Sequence, residues 1–105
     1  PMPVFGDLEQ AVMEVLWASP AAMSVRDVHA ALSRDRVLAY TTVMTVMDRL
    51  AKKGQLNREL DGRAWRYSPV YTWAQLVSDE IVALLNSGPP ELRDEVLEDV
   101  RQRVR

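Results

Sequence analysis

Residues 39–54 read AYTTVMTVMDRLAKKG, and a single helix drawn through them carries two unlike faces. At the helical period, Tyr40, Val43, Val46, Met47 and Leu50 fall on one side, the i, i+3, i+4, i+7 spacing of a helix that packs on a core. The opposite side holds Thr41, Thr42, Thr45, Arg49 and Lys52. Threonine offers a donor, an acceptor and a methyl group at short reach, and Arg and Lys reach phosphate oxygens or guanine, a combination suited to a DNA major groove. A plain solvated helix face is the alternative, but three threonines lower helix propensity without the solubility that Glu or Lys would bring. Gly54 stands where a helix end favours glycine, after Lys52 and Lys53, whose charges complement the helix dipole. Ala39 is a poor cap, so the start of this helix is placed only approximately.

Upstream, Leu8, Ala11, Val12, Val15 and Leu16 predict a first helix over residues 7–18, with Asp7 as its N-cap and Gln10 completing a capping-box pattern. Trp17 is expected to anchor the core, and Ser19-Pro20 breaks the helix. Ala22-Met23-Ser24 reads as a short extended stretch, with Ser24 capping a second helix that carries Val25, Val28, Ala31 and Leu32. His29, the sole histidine, lies off that apolar face and is expected at the surface. It has no second His, no Cys and no suitably spaced carboxylate with which to bind metal or act as a base.

Downstream, Leu56, Arg58 and Leu60 alternate with polar residues, Asp61-Gly62 is the tightest turn signal in the chain, and Arg63 to Tyr67 return as a second strand that Pro69 stops. Three helices followed by a two-stranded hairpin, with a short strand before the second helix, is the winged helix-turn-helix order. A fourth helix is expected over 73–86, presenting Leu76, Val77, Ile81, Leu84 and Leu85. Asn86-Ser87-Gly88-Pro89-Pro90 interrupts it. A last helix over about 91–104 offers Leu92, Val96, Leu97, Val100 and Val104 on one side. These two stripes are more apolar surface than such helices can bury alone, which makes them the expected homodimer interface.

The fold class expected is thus mainly α with a small β wing: a DNA-binding domain over residues 1–70 and a C-terminal helical dimerisation region over 71–105. The length of 105 residues allows no more than one domain with a short appendage. Net charge is −2, yet residues 24–69 hold nine Lys and Arg against five Asp and Glu, so positive charge gathers around the third helix. Cysteine is absent, which removes disulfides, thiolate metal sites and cysteine nucleophiles. No apolar run approaches the ~18 residues of a membrane span, and no signal-peptide pattern opens the chain, so a cytoplasmic protein without membrane contact is expected. Pro1 ahead of Met2 reads as a processed remnant. Adjacent carboxylates such as Asp79-Glu80 and Glu98-Asp99 belong to solvated helix faces, and the four glycines stand alone. An enzyme is therefore not expected, nor a metal or cofactor. A winged helix that binds protein instead of duplex DNA is the competing reading.

GDLEQAVMEVLW in the first helix, SVRDVHAAL in the second, AYTTVMTVMDRLAKKG in the third and DGRAWRYSPV in the wing resemble the penicillinase and methicillin-resistance repressors of bacteria, the BlaI and MecI family. The resemblance covers about residues 6–70 and rests on four segments agreeing in order and spacing. It implies a homodimeric repressor whose third helix enters the major groove of a palindromic operator. By position, Thr41, Thr42, Met44 and Thr45 correspond to the base-reading residues, with Arg49 nearer the phosphates and Arg63 and Arg66 in the wing. Lys52, on the same face, is expected to join the backbone contacts. Trp65, in the strand between the two wing arginines, is expected to pack inward, opposite both. Met44 stands where some members carry a long basic side chain. The Asn-Phe bond at which the best-known members are cleaved has no counterpart, since Asn86 precedes Ser87 and the single Phe is Phe5.

Overall fold

The computed structural model describes residues 2–105, so the reading of Pro1 lies outside the described residues. They form two compact units, one of Val4–Trp73 and one of Ala74–Arg105 with Met2 and Pro3. In the first unit, the elements follow the order α1 (Asp7–Ala18), β1 (Met23–Ser24), α2 (Val25–Leu32), α3 (Tyr40–Lys52), β2 (Leu56–Asp61) and β3 (Ala64–Pro69). The three strands make an antiparallel sheet in the order β1-β3-β2. Beyond it, α4 (Trp73–Asn86) is followed by a 3-10 turn (Pro90–Leu92) and α5 (Arg93–Arg103). The last expected helix is thus shorter than its stripe, because Pro89 and Pro90 begin it with a tighter turn.

Local sequence sets the ends of these elements. Gly6, not Asp7, is the N-cap of α1, and the Glu9 carboxylate accepts the Gly6 N–H at 3.0 Å. The expected cap is therefore corrected by one residue: the reciprocating acid is Glu9, a stronger acceptor than the Gln10 amide, which turns instead to Glu14 at 3.2 Å. Ser24 caps α2 as expected. Its Oγ accepts the Asp27 N–H and its own N–H donates to the Asp27 carboxylate, both at 3.1 Å. At the end of α3, Gly54 adopts φ +79°, the left-handed conformation that side chains resist. The Gly54 N–H donates to the Ala51 carbonyl and the Gln55 N–H to the Leu50 carbonyl, the paired closure of a Schellman motif.

The hairpin turn sits one residue later than its sequence signal. Asp61 pairs with Ala64, which leaves Gly62 and Arg63 as a two-residue loop. A positive φ at Gly62 (+65°) and, among the described residues, at no non-glycine residue is the pattern of a type II′ turn with glycine first. Arg63 therefore occupies the tip of the wing.

The core of this unit is a single cluster. Val12, Met13 and Leu16 come from α1, Val25, Val28 and Leu32 from α2, Val43, Val46, Met47 and Leu50 from α3, and Leu56 and Tyr67 from the hairpin. At about 1.5–3 kcal/mol for each large apolar side chain withdrawn from water, this cluster is the main source of the unit's stability. Tyr40 departs from the expected stripe: it is 46% exposed, lying edge-on to His29 at a ring separation of 5.8 Å. His29 is half-buried and not simply a surface residue, because the link into α3 folds back across it. Its Nε2 lies 2.7 Å from the Leu38 carbonyl, and a carbonyl only accepts, so Nε2 carries the proton and donates. Trp17 is also half-buried. Its Nε1–H donates to the Tyr71 carbonyl at 3.1 Å, and Phe5 packs edge-on at 6.1 Å.

In the second unit only Leu76 is buried along α4, and α5 has no buried residue. Leu84, Leu85, Leu92 and Val96 surround a hollow of about 220 Å³ beside Gly88 and Pro89. The Arg93 Nε–H donates to the Leu85 carbonyl at 3.0 Å, which satisfies a backbone acceptor near the end of α4.

Candidate nucleic-acid interface

Burying Val43, Val46, Met47 and Leu50 fixes the rotation of α3 about its own axis and leaves Thr41, Thr42, Met44, Thr45, Arg49 and Lys52 exposed. Thr41, Thr42, Thr45 and Arg49 line one shallow concavity together with Val46. Met44 lies to its side, in a separate hollow of about 520 Å³ that Tyr40, Arg26, Arg63 and Trp65 also line. The expected base-reading residues thus share one helix surface without forming one row. Arg26, in the first turn of α2, joins this surface unannounced by the sequence, where it is one more polar residue off an apolar face.

The cations differ in what already holds them. Among the described residues, Arg49 and Arg63 have no ion-pair partner. Lys52 pairs with Asp48 one turn back at 2.9 Å, and Arg66 Nε donates to Asp61 at 2.8 Å with Asp27 at 3.7 Å from its Nη1. Asp48 is also met at 2.9 Å by Arg58 of β2, whose guanidinium lies 4.8 Å from the centre of the Trp65 ring. Hydrogen bonds from Lys52 and then Arg58 hold the Asp48 carboxyl below the usual carboxylate range. Arg58 in turn holds its proton more tightly, first through a hydrogen bond with the Tyr67 side chain opposite it and then through Asp48. Asp48, Arg58 and Trp65 so tie α3 to both strands of the wing.

Trp65 corrects the sequence reading, for it is 42% exposed where inward packing was expected. Residues 63 and 65 are two apart and so share a strand face, while Arg63 itself sits in the turn; only Arg66 alternates against Trp65. The ring is instead occupied by the Arg58 guanidinium from the neighbouring strand.

The penicillinase repressor family model matches residues 5–101. This chain belongs to the penicillinase repressor family. Over 80 residues it is 52% identical to the transcriptional regulator BlaI of Mycobacterium tuberculosis, an alignment that takes in 76% of this chain and 58% of the relative. The chain therefore matches little more than half the length of that relative. A solution structure of the DNA-binding domain of the repressor BlaI is 31% identical with a TM-score of 0.62, covering 71% of this chain and 90% of that one. The monomeric form of Bacillus licheniformis BlaI in complex with the blaP half-operator is also 31% identical, with a TM-score of 0.59 and the same coverage. Repression, the role the family is named for, is not a catalytic one. No helix among the described residues is long and apolar enough to cross a membrane.

Proposed function

We propose that this penicillinase-repressor family member is a sequence-specific DNA-binding transcriptional repressor of the cytoplasm, acting as a homodimer on a palindromic operator. The observation that carries the reading is the outward face of α3, whose threonines and cations stand clear of the core that fixes the helix. The likeness of this chain to the monomeric form of Bacillus licheniformis BlaI in complex with the blaP half-operator supports it. In this reading the N-terminal half of α3 enters the major groove, where Thr41, Thr42, Met44 and Thr45 meet base edges. Arg49 and Lys52, in the last turn, and Arg63 and Arg66, in the wing, face phosphates, which position the protein without reading sequence. Bound this way, the protein represses by occupying the operator.

One winged unit spans few base pairs, so useful selectivity takes two, with half-sites about 34–36 Å or a multiple of this apart. Val77, Ile81, Leu84 and Leu85 of α4, with Leu92, Val96, Leu97 and Val100 in and beyond the 3-10 turn, are the surface assigned to the partner copy; Leu76, expected with them, is already buried within a single copy and is left out of that surface. Leu84 at 66% exposure and Leu92 at 49% are large apolar groups that water covers poorly.

Equilibrium binding of a labelled duplex across a series of salt concentrations tests the DNA reading. The expected result is a log affinity that falls linearly with log salt, by about 0.9 for each phosphate neutralised. Indifference to duplex DNA at low salt would contradict it and leave a winged helix that binds protein.

A further inference from the structure

Thr45 stands in the middle of the outward face of α3, and its hydroxyl is already engaged: Oγ1–H donates to the Thr41 carbonyl at 2.9 Å. A threonine hydroxyl has one proton, so while that bond holds, Thr45 has none for the acceptors of a base edge. With Oγ1 held on the helix, the Cγ2 methyl is the group of this exposed side chain that has no hydrogen bond to keep. Met44, beside it in sequence and 43% exposed, ends in a methyl thioether that donates nothing and accepts weakly. The first two turns of α3, Tyr40 to Met47, contain no Asn, Gln, Arg or Lys, the side chains that recognise adenine or guanine through paired hydrogen bonds. What these two turns offer a groove is methyl groups and the single hydroxyls of Tyr40, Thr41 and Thr42.

The one apolar feature of the major-groove edge is the C5-methyl group of thymine. Resting on the DNA-binding reading above, we infer that Thr45 and Met44 recognise thymine through its methyl group, so that C5-methyl pyrimidines, and not hydrogen-bonded purines, set the preference at the positions they face. Thr45 acts through Cγ2 while its hydroxyl stays on the helix.

Selection of a tight-binding duplex from a random pool, followed by replacement of each thymine in turn with deoxyuridine, removes one methyl at a time and leaves every hydrogen-bonding group in place. At the positions facing Thr45 and Met44, the full chain should bind the deoxyuridine duplex about three- to fivefold more weakly, the effect of one buried methyl group. Thr45→Ser, which keeps the hydroxyl, should abolish the distinction between thymine and deoxyuridine at its position. Thr45→Val, which keeps the methyl, should preserve it, and Met44→Ala should abolish it at the neighbouring position. Neutral deoxyuridine substitution throughout a selected duplex would overturn this inference and leave DNA binding intact. The reverse pattern, with Thr45→Val losing the distinction and Thr45→Ser keeping it, would also overturn it, in favour of hydroxyl recognition. A pool that yields no enriched duplex would overturn both this inference and the repressor reading on which it rests.

Discussion

Arg63 occupies the second position of a two-residue turn and, among the described residues, has no carboxylate partner, so its charge is available to whatever approaches the wing. Phosphate contact carries no base information, and Arg63→Ala is therefore expected to weaken binding to all duplexes alike. It should lower the slope of log affinity against log salt by about 0.9. An unchanged slope would take the wing tip out of the interface. Arg66 is in a different position, since Asp61 and Asp27 already surround its guanidinium. The strand pattern announces a basic wing but not this difference, because Asp27 is distant in sequence and only folding brings it near. His29 and Trp65 escape sequence reading for the same reason. Their partners, the Leu38 carbonyl and the Arg58 guanidinium, arrive from a link and from a neighbouring strand that a helical or strand period does not describe.

At the scale of elements, α3 is the most legible part of the chain. Four residues at helical spacing are buried where the period puts them, and Gly54 closes the helix with a left-handed residue where the sequence offers glycine. Gly54→Ala should cost about 1 kcal/mol, through the strain of a side chain at positive φ, and lower the urea midpoint. An unaltered midpoint would mean that the Schellman closure does not constrain the end of the helix. The capping boxes add a pH dependence. The Asp27 carboxyl is held below its ordinary 3.8, first by the Ser24 backbone N–H and then by the Ser24 side chain. A carboxyl with a lowered folded-state value stabilises the fold at any pH above its unfolded value, and that contribution is lost as pH falls through the folded one. Stability should thus decline on acidification below about pH 4, and less in Asp27→Asn than in the parent. Equal pH profiles for the two in urea unfolding would exclude the cap as a source. The turn of the hairpin is less legible than α3, since Asp-Gly marks the place but not which residues are central.

For the molecule as a whole, the acidic pI of about 5.3 conceals a basic stretch over residues 24–69, from α2 through the wing. Splitting the sequence by segment recovers that stretch; the composition of the whole chain does not. The apolar stripes of α4 and α5 are equally visible in the sequence, but a stripe does not name its partner, and one copy of the chain leaves them largely exposed. If a second copy covers them, Leu84→Glu with Leu97→Glu buries unpaired carboxylates in the contact and should split the dimer. Sedimentation at micromolar concentration should then show a dimer for the parent and a monomer for the variant, with the winged unit still folded. A parent that sediments as a monomer would contradict the assignment of these stripes.

The claim that joins these scales is that two copies of α3 read a symmetric DNA site. Selection of bound duplexes from a random pool by the purified full chain tests it most directly. The account predicts enrichment of an inverted repeat whose half-site centres lie about 34–36 Å apart, or a multiple of this. Recovery of unrelated sequences, or of an isolated half-site bound as tightly as any repeat, would contradict it.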